Sequence, residues 1–388
     1  MATASPIEER EIQISVPVNK SQVVASFNPA DFDVPSGREE DWRFTPLRRM
    51  RPLLHPLTSG DGASVEVQAP LGVSIERMNG NADPRLGNSL IPLDRVSALA
   101  WEGAPEATIV TIGRRAELAE PVLISVKGSA DSYGLIRVIV GADSIVTVIL
   151  DHTGTGSHAT NVEVSVGDRS RATFVTIQDW ERDAVHIGRL HSQVGRDAQL
   201  TQVVATFGGD LVRLYSTVGF DGPGGSVDLL GAFFADAGQH LEHRLFTDHS
   251  APHCRSYAAY KGALQGQHAH TVWIGDVLIR AGAKGTNTYE MNRNLILTDG
   301  ARADSVPNLE IETGEIIGAG HASTTGRFDD EQLFYLQARG IPVDVARRLV
   351  VRGFFADVLE RIPDDGVRTR LWATIEDEVS AVGAGDPV

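Results

Sequence analysis

Glycine-led turns, each followed by a polar pair and a β-branched run, recur along the middle of this chain at Gly141 (GADSIVTVIL), Gly167 (GDRSRATFVTI), Gly195 (GRDAQLTQVV) and Gly222 (GPGGSVDLLG). Successive turns stand 26, 28 and 27 residues apart, and a second strand-like run lies between them: NVEVSV from Asn161, HIGRLHSQV from His186, LVRLYSTV from Leu211 and HLEHRLF from His240. A fainter copy at Gly300 (GARADSVPNL) lies 78 residues beyond Gly222, which reads as three further periods of 26. A unit this short cannot bury its own apolar face, so successive units must stack into one continuous core. A two-sheet sandwich also spaces its strands about 8 to 12 residues apart, but it does not require so constant a period. The repeat therefore predicts a mainly β protein built on a β-solenoid.

The flanks differ in texture. Residues 1–105 read as a mixed, partly helical N-terminal region with Pro-rich pieces (RPLLHPL) and a capping-like PSGREEDWRF, in which Ser36 stands three residues before Glu39. Residues 106–327 carry the strand and turn pattern. From 328 to 388 the period becomes helical: DDEQLFYLQARG from Asp329, with Gln332 at the capping-box distance and Gly340 at the C-cap, then PVDVARRLVVRGFFADVLERI and GVRTRLWATIEDEV. A small C-terminal helical domain is expected there.

A formal net charge of -16 among 388 residues, 42% of them hydrophobic, argues for a globular chain that repels nucleic acid and anionic lipid. The first thirty residues show no basic start followed by an apolar stretch, and no run approaches the roughly 18 apolar residues that span a bilayer, so a cytoplasmic location is expected. Cys254 is the only cysteine, which excludes an internal disulfide and a conventional all-cysteine iron–sulfur site. No GxGxxG opens a helix and no GxxxxGK[ST] occurs, so no intrinsic nucleotide site is expected.

Two side-chain groupings invite chemistry. HLEHRLFTDHSAPHC holds His240, His243, His249, His253 and Cys254, and HAH adds His268 and His270. This is either a zinc or iron site or a set of solvated histidines on a solenoid face; the spacing matches no finger or zincin pattern. Asp248 and Glu290 could in principle supply a carboxylate pair for glycoside chemistry, although only 6% of residues are aromatic.

The stretch PNLEIETGEIIGAGHASTTGRFDDEQLFYLQARGI closely resembles the junction of the SufB/SufD family of iron–sulfur cluster assembly proteins. The resemblance rests on a strand over Pro307, Asn308, Leu309, Glu310 and Ile311, a turn over Gly320, His321, Ala322, Ser323, Thr324, Thr325 and Gly326, and a helix carrying Phe334, Tyr335, Leu336, Arg339, Gly340 and Ile341. TNTYEMNRNLIL and EEDWRFTPL are similar to further family landmarks. The resemblance implies a right-handed parallel β-helix core, pairing with SufB and docking of the SufC ATPase by the C-terminal helices. It implies no enzymatic activity of the chain's own. With one cysteine the chain looks like the SufD side of the family, because SufB is the cysteine-rich member. His321 then matches the position thought to contribute, beside a SufB cysteine, to a transient iron–sulfur cluster. Many relatives place cysteine and serine just before that histidine where this chain has Ala319 and Gly320, so no thiol role transfers. The resemblance leaves open a flavin on the assembled complex and a homodimer of the chain expressed alone.

On the second C-terminal helix Val345, Leu349, Phe355 and Leu359 form one apolar strip and Val343, Val350, Phe354 and Val358 another. One strip suffices for packing, so Phe354, Val358 and Val350 are the candidate SufC-docking residues; the other reading makes both strips core. A β-helix carbohydrate-active enzyme and a SufB-like metal-binding homodimer stand as alternatives to the scaffold reading. The bland reading of His321 is a turn residue bonded to Ser323 or Thr324.

Overall fold

The computed structural model describes residues 24–328 and 330–381. The N-terminal region contributes β1 (Asp61–Gln68), β2 (Val73–Asn79) and α1 (Arg95–Gly103). The solenoid begins with β3 (Glu106–Ile112) and the long β4 (Val122–Val140), which serves two sheets at once. The first sheet then runs through β5 (Ile145–Gly154), β7 (Arg171–Trp180), β9 (Gln199–Thr206), β11 (Ser226–Ala235), β13 (Arg255–Leu264), β15 (Asn287–Ile296) and β17 (Gly318–Arg327). The second runs through β6 (Ser157–Val166), β8 (Val185–Val194), β10 (Leu211–Phe220), β12 (His240–His249), β14 (His270–Ile279) and β16 (Arg302–Ile311). From β3 onward neighbours in each sheet pair in parallel, one coil above the next, which makes a parallel β-solenoid of about 8 turns.

Register explains the sequence repeat. Ile145 pairs with Arg171, Arg171 with Gln199 and Gln199 with Ser226, steps of 26, 28 and 27 that equal the glycine spacing. Later coils lengthen: Ser226 pairs with Arg255, Arg255 with Asn287 and Asn287 with Gly318, steps of 29, 32 and 31. The reading of Gly300 as a copy three periods on is corrected by this. Gly300 lies two residues before β16, in the row of turns that enters the second sheet, where Gly238 and His268 also hold positive φ. The other row is a ladder of left-handed corners at Arg115, Asp143, Arg169, Asp197, Gly224, His253 and Gly285. Each corner N–H donates to a carbonyl of the following coil, as from Asp143 to Asp168 at 2.8 Å and from Asp197 to Pro223 at 3.0 Å. The turns therefore stack as regularly as the strands.

Both outer faces are covered. The N-terminal region packs Trp42, Met50, Leu53, Val96 and Leu99 onto the second sheet at Ile109, Leu135, Val185 and Leu211. Ser36 and Glu39 make half a capping box, the Ser36 N–H donating to the Glu39 carboxylate at 3.0 Å, but the chain forms turns there and not a helix. β1 and β2 are strands that the mixed, partly helical reading of residues 1–105 did not include; they pair antiparallel with β4 and β3 and close the N-terminal end of the solenoid.

After β17 the chain forms α2 (Asp330–Gln337), α3 (Val343–Leu359) and α4 (Asp365–Ala381). The expected cap at Asp329 and Gln332 lies outside the described residues and side chains. Gly340, at φ +83°, ends α2 as its predicted C-cap, with its N–H donating to Gln337 O at 2.8 Å. The helices fold back along the first sheet, where Val351, Phe355, Val358, Leu359, Leu371 and Ile375 bury against Val175, Val203, Leu230 and Ala259. Arg370 clamps Asp151 through two bonds of 2.7 and 2.8 Å, and Lys261 reaches Asp357 at 2.6 Å. Among the described residues no helix is long and apolar enough to cross a membrane.

Candidate functional site

The C-terminal end of the solenoid is built differently from its other surfaces. β16 pairs with β14 and β17 with β15, and among the described residues neither has a partner on its far side. Two rows of backbone donors and acceptors are thus left open, the condition under which one sheet adds strands from another chain. Ile311, the last residue of β16, and Ile317, just before β17, are 45% and 74% exposed. Pro307 within β16 is tolerated because an edge strand has one row of bonds to give up.

His321 sits in the middle of β17, which corrects the turn assigned to Gly320–Gly326. The misreading has a physical cause: Gly, Ala, Ser and Thr lack the apolar alternation of a half-buried strand, because this strand has no coil above it. Side-chain alternation places His321 at the end of an inward-facing ladder that runs Val148, Phe174, Gln202, Leu229, Ala258, Glu290, His321. His321 is exposed because the ladder ends at an open mouth. Among the described residues its ring has no hydrogen bond to Ser323 or Thr324, contrary to the bland reading.

Polarity changes along the same ladders. The inward positions Val227, Leu229 and Phe233 of β11 are apolar, whereas those of β15 are Thr288, Glu290, Asn292 and Asn294, and those of β17 include His321, Ser323 and Thr325. Glu290 is 2% exposed, and neither carboxylate oxygen has a hydrogen-bond partner. Burial, and secondarily Asp276, pushes its carboxyl up to about 8. Trp273 Nε1, Ser305 Oγ, Thr271 Oγ1 and Asn294 Oδ1 are buried without partners in the same last coils. Unpartnered donors and acceptors gathered at one mouth fit ordered water or a bound ion. The imidazole of His321 and the carboxyl of Glu290 are donor types that iron accepts.

The remaining sequence candidates fall elsewhere. Cys254 is buried in the turn before β13, its Sγ 3.5 Å from Gly222 O, and burial pushes the thiol up from its ordinary value. Asp248 is clamped by Arg280 on an outward position of β12 while Glu290 faces inward on the other sheet, so the two make no catalytic carboxylate pair. Within the assigned SufC strip Val358 is 1% exposed and packs toward the first sheet, whereas Phe354 and Val350 are half-buried. Among the described side chains of this region the open apolar ones are Phe334 (72%), Tyr335 (55%), Leu349 (48%) and Val343 (42%). Among the described residues no three His, Cys, Asp or Glu converge as a metal centre.

The faces and first end of the solenoid are covered, and among the described residues its last end leaves two strand edges open around a polar mouth. Residues 124–354 match the family described as SUF system FeS cluster assembly, SufBD core domain. An iron-sulfur cluster assembly SufBD family protein of Mycobacterium tuberculosis is 52% identical over 371 residues, 93% of each chain. One of Mycobacterium leprae is 50% identical over 373 residues, covering 94% of this chain and 95% of that one. A longer SufBD family protein of Mycobacterium leprae is 27% identical over 206 residues, only 24% of its length. The chain belongs to the SufBD family, whose members take part in iron–sulfur cluster assembly.

Proposed function

We propose that this chain is the SufD-type scaffold subunit of a SufB–SufC–SufD assembly. It performs no bond chemistry of its own and pairs with SufB through β16 and β17. The observation that carries the reading is the pair of unpaired edges framing His321. A second solenoid added there would bury His321 and Glu290 at a shared seam, where an iron–sulfur cluster under construction is cargo passing through. Ligands for that cargo come from both chains, because a single buried cysteine cannot complete a set.

The exposed Phe334, Tyr335, Leu349 and Val343 support docking of the SufC ATPase on α2 and the start of α3. Closure of SufC would then act on helices that Arg370 and Lys261 tie to the first sheet, the sheet that ends in His321. Co-purification from the native cell tests the assembly. SufB and SufC are expected with the chain, and His321→Ala is expected to keep that complex while slowing cluster transfer to an apo acceptor. A chain recovered alone, or only as a homodimer, contradicts the pairing; an unchanged transfer rate contradicts the role of His321.

A further inference from the structure

The histidine-rich stretch divides three ways in the fold. His243 and His249 point into the solenoid, and His253 and His268 occupy left-handed turn corners. His240 and His270, in register on β12 and β14, meet on the outer face of the second sheet. Their Nδ1 atoms are 3.1 Å apart. His240 Nε2 lies 3.2 Å from Glu242 Oε2, and His270 Nε2 lies 2.7 Å from Asp304 Oδ2. Guanidinium groups keep both carboxylates anionic: Arg213 and Arg244 approach Glu242 at 3.1 and 2.7 Å, and Arg302 approaches Asp304 at 2.8 Å.

An anionic carboxylate only accepts, so each Nε2 carries the ring proton. A neutral imidazole protonated there has its lone pair on Nδ1, and two lone pairs then face one another. A cation must lie between them, either a shared proton or a metal ion. A straight N–H···N bridge would set the ring centroids about 5.4 Å apart, the gap plus two ring radii. The centroids are 4.8 Å apart with the rings at 74°, so the rings are tilted away from a straight bridge along the line between the nitrogens. Two nitrogens about 2.0–2.1 Å from one ion and separated by the observed gap subtend roughly 100°, close to tetrahedral. A far nitrogen that donates to a carboxylate is also the usual support of a metal-binding histidine.

We propose that His240 and His270 form a two-imidazole site for a divalent first-row transition ion, with solvent completing the coordination. This site is separate from the mouth and does not rest on the scaffold reading. The side chain of His240 is 3% exposed and that of His270 is 22% exposed, so an ion enters from the His270 side. With no third His, Cys or carboxylate ligand among the described residues, the bound ion is exchangeable.

Tag-free full-length chain, stripped with chelator, is titrated with Co(II) by visible absorption and with Zn(II) by calorimetry near pH 7.5. One ion per chain is expected, with affinity reduced about tenfold or more in His270→Gln and unchanged in His268→Asn, at an exposed left-handed turn corner of the same stretch. Thermal melting of His270→Gln, whose ring is partly exposed, checks that the variant is folded. Binding unaffected by His270→Gln, or no binding at millimolar Co(II), overturns the metal site and leaves a shared proton between the rings.

Discussion

Single residues show where this fold tolerates polarity. His152, His243 and His249 face into the solenoid, where burial holds them at about 4, 3 and 4. Unfolded, each takes its proton near the ordinary value of about 6.5. A depressed base contributes stability that is present above about 6.5 and lost as pH falls toward the folded value. The urea midpoint is therefore predicted to drop between pH 7 and pH 4.5, and His243→Gln to flatten part of that slope; a midpoint independent of pH across this window would contradict the burial. The position of His321 in a motif was legible in the sequence, but its place at the end of an inward ladder was not. That place depends on pairing with Glu290, 31 residues away. Glu290 was singled out only as a possible partner of Asp248, because a glutamate in a strand reads as solvent-facing until the register turns it inward.

At the level of elements, the solenoid could be read from the early coils because their lengths stay near one value, so the turn glycines remain in phase. The signal fades after Gly222 because the coils grow longer, and Ala251 and Ala283 stand where the earlier coils have glycine, four residues before β13 and β15. β1 was legible as a strand, since Ala63, Val65 and Val67 alternate with exposed Ser64, Glu66 and Gln68, but the Pro-rich pieces around it led the region to be read as mixed and partly helical. On α3 the two apolar strips were visible, and their allocation to core or partner was not, since a helix lying in a groove buries more than one stripe. Phe355→Ala is predicted to cost about 3–5 kcal/mol of stability, measured by chemical denaturation, and a loss below 1 kcal/mol would contradict the docking of α3. Phe334→Glu with Leu349→Glu should leave that stability unchanged and abolish SufC binding in a pull-down. Retained SufC binding would move the docking site elsewhere.

Over the whole molecule, the covering of the solenoid is asymmetric. The N-terminal region shields the second sheet, α3 and α4 shield the first, and β1 and β2 close the starting end. The far end keeps two edge strands, a polar lumen and His321 open to solvent. Native β proteins blunt or cover such edges because they template pairing with another chain. The most direct test is amide hydrogen exchange of the chain alone and mixed with SufB and SufC. Amides of residues 302–311 and 318–327 are predicted to exchange fast in the free chain and to become strongly protected on complex formation, with the solenoid interior unchanged. A stable complex in which these two strands still exchange as fast as in the free chain would contradict edge pairing as the basis of assembly.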